Sequence, residues 1–133
     1  MREKLVDTII LDNGIKVEVW DLSRVLAGDR WLASLEARVD IPLDPEMLPP
    51  TPEREKFLQV LHSVFGNKIP YRYKQERHFV DQKEKEGLFQ EFIDLLRKNV
   101  IPYLSHKEFA KRLVLSKIRE LRSKDPRLFF RGP

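Results

Sequence analysis

The chain contains no cysteine. That removes disulfide scaffolds, thiolate metal sites and cysteine nucleophiles together. Glycine is scarce, five residues in 133, and none sits in a phosphate-cradling motif. No run approaches the roughly 18 apolar residues that a membrane-spanning helix needs. Met1-Arg2-Glu3-Lys4 leads into an alternating strand pattern rather than a signal-peptide core. There is no GxSxG elbow and no HExxH pair. His62, His78 and His106 are far apart and share no helix face, so they suggest no metal set and no catalytic set. The expectation is a soluble, cytoplasmic, non-catalytic protein with no cofactor and no metal.

What is present is enough to fold. Hydrophobic residues make up 41% of the chain and aromatics 10%, and at this length one domain buries roughly two thirds of its unfolded surface. Charged residues reach 35% with both signs represented, which argues against disorder. The pattern predicts a single α+β domain: a small antiparallel sheet of three to four strands, covered on one face by about three helices. Its parts are a β-meander over 1–42, a helix over 51–66, an edge strand or ordered loop over 70–80, a helical hairpin over 81–124 and a tail over 125–133.

Individual signals support each part. Asp12-Asn13-Gly14 follows an apolar strand, and Asn-Gly is a strong hairpin signal. Val17 and Val19, then Ala33, Leu35, Ala37 and Val39, alternate with polar residues, so one sheet face is expected to be buried and the other wet. Between these strands, Asp21 or Ser23 is expected to cap a short helical turn that Gly28 ends. Prolines 42, 45, 49, 50 and 52 form a stiff connector. Thr51-Pro52 reads as a helix start, and Ser105-His106-Lys107-Glu108 as a capping box that opens the last helix.

The charge is uneven. Residues 1–104 hold 16 basic and 18 acidic side chains, whereas 105–133 hold 9 basic and 3 acidic. On the last helix, Lys111, Arg112, Arg119 and Arg122 share an arc with Leu115 in their midst. Basic residues gathered around an apolar one suggest a contact surface for an acidic partner, protein or nucleic acid. A second reading places a nucleotide or other anion on the Asp21–Trp31 loop, gripped by Ser23, Arg24 and Arg30. Tyr71-Arg72-Tyr73-Lys74 carries a weaker signal, aromatics interleaved with cations as on a single-strand nucleic-acid platform. In the tail, Phe129 and Phe130 are expected to dock on the chain's own core or on a second copy, giving a homodimer.

Overall fold

Alternating residues from Lys4 to Pro42 build two successive antiparallel hairpins in the computed structural model, which describes residues 3–129. In the first, β1 (Lys4–Ile10) pairs with β2 (Lys16–Asp21). Leu11 donates its N–H to the Ile15 carbonyl at 2.8 Å, and Gly14 donates to the Leu11 carbonyl at 2.9 Å. Gly14 has φ +85°, and Asn13 does not join it at positive φ. The connection is therefore a three-residue loop with a left-handed glycine, not a two-residue Asn-Gly turn. Asn13 contributes through its side chain: Oδ1 accepts from the Ile15 N–H at 3.1 Å, and Nδ2 donates to the Leu104 carbonyl at 3.0 Å.

The second hairpin corrects the expected helical turn. Residues Arg24–Ala27 form a strand, β3, which pairs with β4 (Arg30–Pro42). β2 pairs with β4 as well, and from Asp21↔Leu35 to Arg24↔Leu32 the ladder advances three residues on each side. β2 and β3 thus run as one arm in a single register, joined at Leu22-Ser23, where Leu22 donates to the Ser34 carbonyl at 3.0 Å. Asp21 does cap, but it caps a bend: its Oδ1 accepts from the Ser23 N–H at 2.8 Å. Gly28 (φ +57°) and Asp29 then turn the chain, glycine taking the first position of a two-residue hairpin loop.

The sheet is five-stranded and mostly antiparallel, with β5 (Lys68–Asp81) pairing to β4. The segment read as a short edge strand is longer at both ends. Val17, Val19, Ala33, Leu35, Ala37 and Val39 are at most 1% exposed. The opposite face is not uniformly wet, because Leu32 and Ser34 are buried there too. Ser34 keeps its hydroxyl satisfied by donating to Glu76 Oε2 at 2.8 Å.

The chain packs as two compact units. The described residues up to Val39, with Arg72–His106, form the first; Asp40–Tyr71, with the described residues from Lys107 onward, form the second. In the first unit, helix α2 (Lys85–Leu95) continues through a π-helical turn, Leu96–Val100, into α3 (Ile101–Leu104). The widened turn falls just before Pro102, which has no N–H and whose ring would press on the Lys98 carbonyl in a regular α-helix. Phe92, Leu96, Val100 and Leu104 line up on the buried side of this run.

In the second unit, a short 3₁₀ turn (Pro45–Met47) precedes α1 (Arg54–Phe65), and α4 spans Phe109–Lys124. Both helices begin later than their sequence signals indicate. The Thr51 carbonyl accepts from the Arg54 N–H at 3.1 Å, so Thr51-Pro52 belongs to a turn before α1. Ser105 donates its N–H to the Ile101 carbonyl at 2.9 Å and closes α3 instead of capping α4. α1 does end at Gly66, whose φ is +77°. Phe109 is fully buried and meets Tyr71 edge-on, with ring centroids 5.5 Å apart. Among the described residues no helix is long and apolar enough to cross a membrane.

Candidate interaction face on the last helix

Helical geometry places Lys111, Arg112 and Arg119 at i−4, i−3 and i+4 from Leu115, the nearest neighbours on a helix surface. The buried side of α4 is carried by Phe109, Leu113, Val114 and Ile118. Leu115 points away from it and stays 40% exposed. The only acidic residue within α4 is Glu120, which lies 3.7 Å from Lys117. Lys111 approaches Glu108 at 3.9 Å, a wide and solvent-exposed pair that is worth little. Arg112 and Arg119 make no ion pair among the described residues. Arg119 and Arg122 are also like charges at i and i+3, which costs the isolated helix about 0.2–0.5 kcal/mol.

Leu115 does not stand alone. It forms one side of a groove of about 450 Å³ whose other walls are Met47, Leu48, Pro49 and Pro50, with Lys111 and Arg54 on the rim and Glu46 beside them. Arg54 holds the proline segment in place, donating from Nη2 to the Leu48 carbonyl at 2.7 Å and from Nε to the Pro49 carbonyl at 3.3 Å. Sequence reasoning found the helical half of this groove and missed the proline half. Its signal was there: Met47 and Leu48 are apolar residues inside a stiff, proline-bounded connector.

Arg122 has a different role from the one its position on the arc suggests. Its guanidinium lies 5.4 Å from the Phe57 ring centroid and 5.2 Å from that of Phe129, within cation–π range of both. The two rings meet edge-on at 6.0 Å. Arg122 is thus engaged in seating the tail, and Phe129 is 7% exposed. The expected docking of the tail on its own chain is seen at Phe129, and Phe130 lies outside the described residues.

The residues of the anion-site reading do not converge on one point. The Ser23 hydroxyl accepts from the Ser34 N–H at 3.0 Å. Arg24 is exposed opposite Leu32. Arg30 sits 3.8 Å from Asp29 and 3.6 Å from Asp81, carboxylates that would compete with an incoming anion. The interleaved tyrosines are occupied as well: Tyr71 packs against Phe109, and the Tyr73 hydroxyl donates to Gln75 Oε1 at 3.0 Å.

The charged outer surface of β2 and β4 is likewise self-satisfied. The Arg38 guanidinium lies 4.6 Å from the Trp20 ring centroid, and it donates to Glu36 and, at 3.0 Å, to Glu3. The Glu36 hydrogen bond raises the Arg38 pKa above its ordinary value; burial opposes this and Glu3 adds to it. Among the described residues no three histidine, aspartate or glutamate side chains gather in a way that could hold a metal ion. No protein-family model matches the chain, and neither does any curated protein or solved structure.

Proposed function

We propose that the protein is a non-catalytic, cytoplasmic interaction module that binds an acidic protein segment on the exposed face of α4. The observation that carries this reading is the set of cations without carboxylate partners among the described residues, Arg112 and Arg119 with the loosely paired Lys111, arranged around the exposed Leu115. Such a face repels itself when free, and a partner's carboxylates would relieve that repulsion. The groove beside Leu115 favours a protein over a nucleic acid. An apolar side chain of the partner would have Met47, Leu48 and the two prolines to bury against, whereas phosphate contacts need no such seat.

Titration with an acidic, leucine-containing peptide and with single-stranded nucleic acid, at low and at high salt, tests the proposal. The peptide should bind more tightly at low salt and keep part of its affinity at high salt, because apolar burial is not screened. Nucleic acid should bind weakly and lose its affinity steeply with salt. Absence of peptide binding at low salt, where attraction is strongest, refutes the proposal; nucleic acid binding more tightly than peptide refutes the choice of partner.

A further inference from the structure

Phe79 is the one non-glycine among the described residues with positive φ, +57°, and its side chain is 69% exposed. A bulky residue in the left-handed region is strained, and here the ring stays mostly exposed. Strain of this kind within a strand marks a place where the backbone re-aims a side chain.

Phe79 stands at a cleft of about 580 Å³ in the first unit, inside the size range of small-ligand sites. One wall is the end of β5, with Arg77, His78 and Phe79, joined at its edge by Arg30. The other is α2 and its approach, where Glu84, Leu88 and Glu91 fall at i, i+4 and i+7 on a single stripe. The turn from Asp81 to Glu84 closes one end, with the Glu84 N–H donating to the Asp81 carbonyl at 2.9 Å. The start of α2 is pinned from the other side by Lys85, whose ammonium lies 3.7 Å from the Trp31 ring centroid.

Arg30 is taken by Asp81 at 3.6 Å, but the other charges of the two walls do not meet. Arg77, His78, Glu84 and Glu91 make no ion pair among the described residues. We infer that this cleft binds a short peptide as a zwitterion: the ammonium toward Glu84 and Glu91, the carboxylate toward Arg77, and an aromatic or large apolar side chain against Phe79 and Leu88. Charge-assisted hydrogen bonds to both termini give such a site its selectivity, and the exposed ring gives it apolar area. In a free amino acid the two charges share one carbon. A peptide separates them by about 3.8 Å for each added residue.

Calorimetric titration of the full chain with phenylalanyl-phenylalanine, its N-acetyl form and its C-terminal amide tests the inference. The free dipeptide should bind saturably, and each blocked form about tenfold or more weaker. Arg77→Gln should reproduce the loss seen with the amide, and Glu91→Gln the loss seen with the N-acetyl form. Phe79→Asn should weaken binding while leaving the melting temperature unchanged or higher, since asparagine tolerates positive φ. That combination separates a ligand contact from a structural role. No saturable binding at millimolar dipeptide, equal binding of the blocked forms, or Phe79→Asn binding as wild type overturns it.

Discussion

Leu35→Ala should lower stability by about 2–5 kcal/mol, toward the upper end of that range. Leu35 is fully buried on β4 opposite Asp21 of β2. The residues flanking it on the same face are Ala33 and Ala37, also fully buried. Leucine is therefore the bulk between two small side chains. Alanines carry no rotamers with which to swing into the space, so these two neighbours cannot fill the cavity and its cost adds to the loss. Chemical denaturation of wild type and variant measures it. A change below about 0.5 kcal/mol, the size usual for surface substitutions, would mean that the strand register is wrong, since a one-residue slip moves every side chain to the other face.

The second large effect is expected at the first residue of α4. Phe109→Ala should cost about 3–5 kcal/mol. Phe109 is fully buried, and its edge-on contact with Tyr71 is of a kind worth about 0.5–1.5 kcal/mol beyond area burial. Because α4 begins without a side-chain cap, this packing does the work that a capping hydrogen bond does elsewhere. The variant should therefore unfold at lower denaturant concentration by both far-ultraviolet dichroism and fluorescence. A helix that starts equally well without Phe109 would show little change.

These two positions also show where sequence was informative. Alternation in β4 identifies Leu35 as buried, because a period of two puts it on one face with Ala33, Ala37 and Val39. The apolar arc of α4 identifies Phe109 in the same way at a period of 3.6. Punctuation was harder to read. Asp21-Leu22-Ser23 with Gly28 suits a capped helical turn as well as it suits a bend and a hairpin turn; the Gly28-Asp29 pair was the sign of the hairpin, and Arg24–Ala27 its strand. Ser105–Glu108 has the residues of a capping box, but Ser105 is already used to end α3. Tertiary packing decides between such local alternatives.

The candidate site was half legible. Lys111, Arg112, Leu115 and Arg119 follow from helical spacing alone. The proline wall opposite Leu115, and the aromatic pair that takes Arg122, depend on contacts between residues distant in sequence. No periodicity reports such contacts. The left-handed backbone at Phe79 carries no sequence signal either, since the residues that favour it are glycine, asparagine and aspartate.

The central claim, that the face around Leu115 binds an acidic partner, is tested most directly by reversing its charge. A variant carrying Lys111→Glu, Arg112→Glu and Arg119→Glu changes only exposed side chains and leaves Arg122 in its aromatic seat. It should melt within a few degrees of wild type, because exposed substitutions typically change stability by under about 0.5 kcal/mol each. Titrated at low salt with the acidic leucine-containing peptide, it should bind at least about a hundredfold more weakly, with attraction turned to repulsion at three positions. A folded variant that binds the peptide as tightly as wild type would contradict the claim.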